Sequence, residues 1–96
     1  MTTWRNEQGA LHRVGGPAVI WTNGTQAWYL NGELHRVNGP AVTHEDGYQA
    51  WFRNDKLHRL DGPAVIYANG VQEWWVNGQQ LTDFEVWVLT GAKEHV

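Results

Sequence analysis

The sequence contains no cysteine and no serine, and it has only two lysines and one methionine. Without cysteine there can be no disulfide, no thiolate chemistry and no cysteine-ligated zinc. Without serine, a serine hydrolase triad is excluded. Acidic residues outnumber basic ones by ten to seven. A basic nucleic-acid footprint is therefore absent, and we expect no direct binding of nucleic acid.

Long apolar runs are also missing. No stretch approaches the ~18 residues that a membrane span needs, and the first residues do not have the pattern of a signal peptide. A chain of 96 residues has the length of one small domain. We therefore expect a single domain over 1–96, located in the cytoplasm and without membrane association.

Tryptophan and glycine are abundant, at seven and eleven residues, and they recur with a fixed period. The strings Leu-His-Arg, Gly-Pro-Ala-Val and Asn-Gly or Asp-Gly each return after 23 residues, as do Trp and Asn positions further on. Such self-similarity is the signature of a repeat architecture. It divides the chain into a half repeat at 4–10, repeats at 11–33, 34–56 and 57–80, and a C-terminal segment at 82–91.

Each repeat has the pattern of a β-hairpin. Asn23-Gly24 and the equivalent Asp46-Gly47 and Asn69-Gly70 fit two-residue type I′ turns between short runs rich in β-branched and aromatic residues. A second turn follows at Asn31-Gly32 and its equivalents. We therefore predict a mainly β protein, in which tandem 23-residue β-hairpin repeats form an elongated antiparallel meander sheet.

The segment 82–91 breaks the period and predicts a short C-terminal helix. Thr82 and Glu85 have capping-box spacing, and Gly91 can end the helix. Apolar residues share one helical face at i, i+3 and i+4: Phe84, Trp87 and Val88. A strand is the alternative, because alternate residues here are also apolar. We favour the helix and expect it to cover the last hairpin as an end cap.

The turn also predicts which residues share a face. A two-residue turn at Asn23-Gly24 pairs Val19 with Trp28 and Ile20 with Ala27. Because side chains alternate between faces, one face carries the valine and tryptophan columns, and we assign it to the core. The other face carries apolar residues that either support the sheet under the helix or bind a partner. These candidate partner-binding residues are Tyr29, Phe52, Trp75, Ile20 and Ile66.

Three His-Arg pairs recur along one edge: His12-Arg13, His35-Arg36 and His58-Arg59. Equivalent histidines lie about two strands apart, roughly 9–10 Å. That is too far for a shared zinc ion at ~2.1 Å per bond, so we predict no metal site and no cofactor. The pairs either satisfy turn carbonyls or stack on tryptophan, or they form an anion-binding ladder.

The repeat string resembles a known family. Leu-His-Arg-x-x-Gly-Pro-Ala, an Asp-Gly or Asn-Gly turn, and Trp-aromatic-x-Asn are present at 34–41, 46–47 and 51–54, and twice more. This resembles the MORN-like repeat of YwqK-type antitoxin components and of short phage and giant-virus proteins. The resemblance implies a single-layer β-repeat array that serves as an interaction module. Asp55 in place of a turn glycine, and the absence of His-Arg at 79–82, suggest that the array stops there.

These observations predict a non-enzymatic protein–protein interaction module without catalytic residues. The resemblance implies a small phage- or bacteria-derived inhibitor, anti-defence or antitoxin-like, that occupies a surface of a host or partner protein. The alternative is a protein that sequesters a nucleotide or other phosphate through the His-Arg pairs, with stacking from Tyr29, Phe52 or Trp75. Open strand edges and an incompletely covered Trp4 predict a homodimer.

Overall fold

The structure, a computed structural model, describes residues 1–91. Thirteen strands of two residues each precede one helix in this part of the chain. The strands and the helix have these bounds: β1 Thr2–Thr3, β2 Val19–Ile20, β3 Gln26–Ala27, β4 Tyr29–Leu30, β5 Glu33–Leu34, β6 Val42–Thr43, β7 Gln49–Ala50, β8 Phe52–Arg53, β9 Lys56–Leu57, β10 Val65–Ile66, β11 Gln72–Glu73, β12 Trp75–Val76, β13 Gln79–Gln80 and α1 Asp83–Leu89.

Seven strands form one antiparallel sheet in the order β1-β2-β3-β6-β7-β10-β11. The other six form three two-stranded ribbons, β4-β5, β8-β9 and β12-β13. Each 23-residue period therefore adds two strands to the sheet and one ribbon beside it. The extents of 53 × 26 × 19 Å show the elongation. The predicted mainly β architecture, a meander of hairpins with a short C-terminal helix, is confirmed.

A tryptophan marks the point where each long strand leaves the sheet for its ribbon. The amide of Trp28 donates to the carbonyl of Ala41 in the next hairpin at 2.7 Å. The carbonyl of Trp28 accepts from the amide of His35 in the ribbon at 3.0 Å. Trp51 makes the same two bonds one repeat later. The tryptophan backbone thus joins the sheet to the ribbons.

The first turn of each hairpin is a three-residue loop, not the predicted two-residue turn. The amide of Gly24 donates to the Trp21 carbonyl at 3.0 Å, and the amide of Trp21 donates to the Thr25 carbonyl at 2.9 Å. Gly24 has a φ of +89°, and Asn23 is not left-handed. This is a type I turn closed by a glycine bulge. Asn23 instead accepts the Thr25 amide through Oδ1 at 3.0 Å.

The extra loop residue shifts the pairing of the strands by one position. Val19 pairs with Ala27, and Ile20 pairs with Gln26. A shift of one residue moves the whole side-chain set of a strand to the other face. The predicted core face of valine and tryptophan is therefore wrong, because Val19 shares its face with Ala27, and Trp28 lies on the opposite face.

The core consists of small side chains. The buried hydrophobic residues are all alanine or valine: Ala18, Val19, Ala27, Ala41, Ala50, Ala64 and Val65. None of the seven tryptophans is buried; five are half-buried, and Trp21 and Trp87 are exposed. A single sheet with flanking ribbons does not enclose an indole ring. The expectation that tryptophan fills a buried core column is therefore wrong.

The helix α1 begins and ends as predicted. Thr82 Oγ1 accepts from the Glu85 amide at 3.2 Å, and Glu85 Oε1 accepts from the Thr82 amide at 2.9 Å. These two bonds form the capping box, and Gly91 follows the helix with a φ of +88°. Thr82 stands 23 residues after Arg59, so the residue that caps the helix replaces the next repeat arginine. The array therefore stops where the departures in the sequence indicate.

The helix leaves its apolar face exposed. No residue of α1 is buried, and Phe84, Trp87 and Val88 are 67%, 52% and 54% exposed. The rings of Phe84 and Trp87 lie 5.8 Å apart and contact each other. The prediction that this face covers the last hairpin is wrong. Within residues 1–91, no helix is long and apolar enough to cross a bilayer.

Candidate functional site

Each repeat holds its arginine in the same position, which we call an arginine clamp. Cζ of Arg36 lies 3.9 Å from the ring centroid of Trp28, and Nη1 donates to the Pro40 carbonyl at 3.1 Å. The other two clamps have the same stacking distance of 3.9 Å and comparable bonds to a proline carbonyl. They are Arg13 on Trp4 with Pro17, and Arg59 on Trp51 with Pro63. The structural role of the arginines, stacking on tryptophan and satisfying turn carbonyls, is confirmed.

The glycine of each Gly-Pro pair makes room for the guanidinium. A Cβ atom added at Gly16 would lie 2.7 Å from Cζ of Arg13, and one at Gly62 would lie 2.6 Å from Cζ of Arg59. Both distances are shorter than carbon atoms tolerate without a shift of the arginine. The spacing Arg-x-x-Gly-Pro therefore follows from one packing requirement, the close approach of side chain to backbone.

The histidines bind the second turn of each repeat through a backbone amide, so the prediction that they satisfy turn carbonyls is wrong for them. Nδ1 of His12, His35 and His58 accepts from the backbone amide of an asparagine at 2.9, 3.1 and 3.0 Å. The asparagines are Asn31, Asn54 and Asn77. A neutral imidazole that accepts at Nδ1 carries its proton on Nε2. Each ring therefore keeps one donor for another partner.

These asparagines occupy the two-residue turns of the repeat. Asn31 and Gly32 have φ of +49° and +85°, as a type I′ turn requires. Asp55, in the place of the turn glycine, also has a positive φ of +67°. A positive φ costs energy for a residue with a Cβ atom. The Asp55 carboxylate offsets part of this cost, because Oδ1 accepts a hydrogen bond from the amide of Leu34 at 2.7 Å. Among the described residues, no three His, Asp or Glu side chains are placed to hold a metal ion.

Two grooves lie between successive clamps and form what we call the arginine edge. The first has a volume of about 370 Å³, and the second about 540 Å³. Both contain a tryptophan, a histidine and two clamp arginines. The first is lined by Arg13, Val14, Trp28, Leu30, His35, Arg36 and Val37, and the second by Arg36, Val37, Trp51, Arg53, His58, Arg59, Leu60 and Asp61 among others. Within residues 1–91, four of the five arginines but a single acidic residue line these grooves.

The clamps differ in their counter-charge. Nε of Arg59 donates to Oδ1 of Asp61 at 2.9 Å, and this hydrogen bond and the arginine charge lower the pKa of the Asp61 carboxyl. The equivalent positions in the preceding repeats are Asn38 and Gly15. Arg36 therefore has no carboxylate partner within the described part of the chain, and burial lowers the pKa of its guanidinium. Its positive charge is partly desolvated and not neutralised.

Exposed aliphatic side chains stand at the rim of the grooves. Val14, Val37 and Leu60 directly follow the clamp arginines and are 80%, 61% and 64% exposed. These three residues were not among the predicted site residues, although the sequence contains a signal for them. An apolar residue at the same turn position in all three repeats is unusual, because exposed turns favour polar residues.

Three of the five predicted partner-binding residues share a face, which we call the aromatic face. Tyr29 lines the same shallow concavity as Ala27 and Val42. Phe52 and Trp75 hold the equivalent positions in the next repeats. All three aromatic rings are half-buried. Phe52 and Trp75 line one concavity together, and the binding of a partner by these three residues stays a prediction.

The other two predicted partner-binding residues lie on the opposite face of the sheet. Ile20 pairs with Gln26, and Ile66 pairs with Gln72, whereas Ala27 faces the aromatic side. The prediction that these isoleucines extend the aromatic column is wrong, and the one-residue shift in strand pairing is the reason.

Further aromatic residues extend the aromatic face to the first turns. The Tyr48 ring lies 4.6 Å from that of His44 and 5.7 Å from that of Tyr67. Trp21 and Tyr67 are each 37% exposed. Burial, together with the charge of Glu73, raises the pKa of Tyr48 above its ordinary value. Trp21 was predicted to lie in the core, so this end of the surface was not predicted.

Comparisons of the chain with protein-family models, with curated proteins and with solved structures found no match. The resemblance to MORN-like repeats therefore depends on the repeat string and stays a prediction. The structure gives that string a physical role residue by residue. Histidine binds a turn, arginine stacks on tryptophan, glycine admits the guanidinium, proline supplies its carbonyl, and alanine is buried beneath.

Proposed function

We propose that this protein is a non-enzymatic interaction module that binds another protein along its arginine edge. The observation that carries the proposal is the row of exposed aliphatic residues at the groove rims: Val14, Val37 and Leu60. Folding gains little from a side chain that is 80% or 61% exposed. A regular apolar row beside arginine and tryptophan has the composition of a protein interface.

The arginine edge also has the rigidity that favours binding. The clamp arginines are held by stacking and by a proline carbonyl before any partner arrives. A side chain that is already ordered loses less entropy on association than a free one. The aromatic face, which contains Tyr29, Phe52 and Trp75, provides a second apolar surface on the other side of the sheet.

The resemblance to MORN-like repeats extends this proposal. It suggests a cytoplasmic inhibitor of phage or bacterial origin, anti-defence or antitoxin-like, that occupies a surface of a host or partner protein. Cell fractionation tests the location. The proposal also includes a homodimer, because the sheet ends at two open strands, β1 and β11.

Affinity purification from the source cell tests the interaction. The bait is the wild-type protein or a variant that carries Val37→Asp and Leu60→Asp at the rims. Val71→Asp is the matched control, because Val71 is also exposed, at 53%, but lies in a first turn away from the arginine edge. We expect the wild type and the control to recover a partner protein in stoichiometric amount. We expect the double variant not to recover it. Equal recovery by all three baits would contradict the proposed surface.

Phosphate sequestration is the second candidate, and the guanidinium and imidazole donors of the grooves favour it. The structure corrects one part of it. Tyr29 lies on the aromatic face, whereas Arg36 and His35 line a groove with Trp28 on the other side. One small ligand therefore cannot contact the groove and stack on Tyr29, Phe52 or Trp75. Isothermal titration with nucleotides separates the candidates, since micromolar binding by the isolated protein would favour sequestration.

A further inference from the structure

We propose that the groove between Arg13 and Arg36 binds an acidic protein segment in polyproline II conformation, with carboxylates three residues apart. This inference rests on the proposed function, because it names the chemistry of the partner at the arginine edge. Three features of the arginine edge support it: a carboxylate already bound by one clamp, the donors of the first groove, and the distance between clamps.

The third clamp shows how a carboxylate binds. Arg59 uses its face on Trp51 and its Nη1 on Pro63, and its Nε still donates to Asp61 at 2.9 Å. The guanidinium therefore binds a carboxylate while it keeps its contacts with Trp51 and with the Pro63 carbonyl. Arg36 is held by the same two contacts. Its Nε edge is the equivalent position, and the neutral Asn38 stands where Asp61 stands one repeat later.

The first groove supplies further groups for such a ligand. His35 lines it, and since Nδ1 already accepts from Asn54, the remaining ring nitrogen is a donor. Val14 and Val37 line the same groove and cover the aliphatic part of a bound segment. A partly desolvated guanidinium pairs with a carboxylate more strongly than one in water.

Charge is unevenly distributed over the molecule. The formal net charge is −3, yet the grooves hold four arginines and one acidic side chain within residues 1–91. An acidic segment is therefore attracted to this edge and repelled from the first turn of the second repeat, where Glu45 and Asp46 lie. This complementarity favours an acidic partner over a basic or neutral one.

The distance between successive clamps favours the polyproline II conformation for the bound segment. Trp28 and Trp51 follow β3 and β7, which are separated by one strand, so that successive clamps lie two strand spacings apart. Two spacings amount to about 9.4–9.8 Å. Three residues of polyproline II advance by about 9.3 Å. Two residues of a β-strand advance by only about 6.7 Å, which does not match the clamps.

Three synthetic peptides test this directly, with both ends blocked. The first repeats Glu-Pro-Pro three times, the second alternates Glu and Pro, and the third replaces each Glu of the first by Gln. Binding to the full chain is measured by titration calorimetry and by the NMR shifts of the arginine Nε–H groups. We expect the first peptide to bind about fivefold or more tightly than the second, and the Gln peptide not to bind. Added salt weakens the binding, as expected for ion pairs that are partly exposed.

Two surface substitutions keep the clamps intact. Asn38→Asp gives Arg36 an internal carboxylate like Asp61, so we expect it to weaken binding of the first peptide by about tenfold. Asp61→Asn frees Nε of Arg59 for a third glutamate, so we expect binding about threefold tighter. Thermal unfolding of both variants checks that the fold is retained, and Asn38→Ala is the control for the loss of the amide.

Several results would overturn the inference. They are equal binding of the Glu and Gln peptides, equal binding of the two glutamate spacings, and binding that Asn38→Asp leaves unchanged. Absence of peptide binding at millimolar concentration would also overturn it. In that case, a partner protein that the wild type recovers and the Val37→Asp, Leu60→Asp variant loses would show that the interaction module still stands.

Discussion

The guanidinium of Arg36 lies 3.9 Å from the ring of Trp28, and the two residues belong to different repeats. In a repeat protein, stability depends on the contacts between neighbouring units as much as on each unit. The buried core here consists of alanine and valine side chains. The arginine clamp is therefore a large part of the interface that holds one hairpin to the next.

Replacing Arg36 should destabilise the whole array. Arg36→Ala removes a cation–π contact and a charged hydrogen bond to the Pro40 carbonyl, and we expect a loss of about 2–3 kcal/mol in the free energy of unfolding. Arg36→Lys keeps the charge but not the planar fork, so it should recover only part of this. Arg53→Ala is the control, because Arg53 is exposed and should change stability by less than about 0.5 kcal/mol. Urea unfolding measures all three, and equal midpoints for Arg36→Ala and the control would contradict the role of the clamp.

The glycine beside the clamp should be intolerant of even one carbon. Gly62→Ala places a Cβ 2.6 Å from Cζ of Arg59, and since the φ of Gly62 is not left-handed, the effect is steric. We expect a loss of about 1–3 kcal/mol. In the background Arg59→Ala the clash is absent, so Gly62→Ala should cost much less there. Additive effects in this double-mutant cycle would show that the glycine is required for another reason.

The histidines should act through a single acceptor atom. His35→Ala removes the Nδ1 acceptor of the Asn54 amide and should destabilise by about 1–2 kcal/mol. His35→Asn places an amide oxygen near the same position and should recover part of the loss. The ¹⁵N–¹H resonance of Asn54 reports the bond directly. An unchanged Asn54 resonance in His35→Ala would contradict this assignment.

The capping box should make the helix sensitive to acid. The hydrogen bonds with Thr82 lower the pKa of Glu85, so the folded helix favours the charged carboxylate. Its contribution is fully present above the ordinary glutamate pKa of about 4.3 and is lost as the pH falls through the lower folded value. The amide shift of Thr82 should therefore titrate with a midpoint below that of a glutamate in an unfolded peptide. Glu85→Gln should abolish this titration, and a midpoint at or above the ordinary value would contradict the capping box.

The hairpin period was predictable from sequence, but the strand pairing was not. Repetition of Asn-Gly and of the Gly-Pro pair defines the turns, whatever their type. Asn23-Gly24, however, fits both a two-residue turn and a three-residue loop closed by a glycine bulge. The choice depends on the φ of Asn23, which a type I′ turn requires to be positive and which is not positive here, and asparagine adopts either conformation. The loop has one residue more than predicted, and this shift in pairing places Ala27 on the face that was predicted for Trp28.

The arginine edge was only partly predictable, for a different reason. The His-Arg pairs and their spacing are visible in the sequence, and their structural role was among the predicted alternatives. The groove needs Trp28 from one repeat and Arg36 from the next, so it exists only after the repeats are placed side by side. The capping box of α1 was predictable because all its atoms lie within four residues.

Self-association through a strand edge is the last prediction. The predicted role of Trp4 as an uncovered anchor is weakened, because Arg13 stacks on its ring at 3.9 Å. The feature that still predicts self-association is the unpaired backbone of the end strands. The amide of Trp4 donates to Ala18 inside the sheet, so by alternation the amide of Thr3 points outward from β1. Two copies that pair there would continue the sheet across a two-fold axis.

Light scattering and proline substitutions test this edge. We expect a mass of about twice the 11.0 kDa of one chain at about 100 μM protein. Thr3→Pro removes the outward donor and should return the mass to that of one chain. Gln72→Pro, at the other end of the sheet in β11, is the matched control and should leave the dimer intact. A dimer that survives Thr3→Pro and is lost in Gln72→Pro would place the interface at β11, where the charge of Glu73 disfavours pairing. A mass of one chain for the wild type would exclude a dimer in this range.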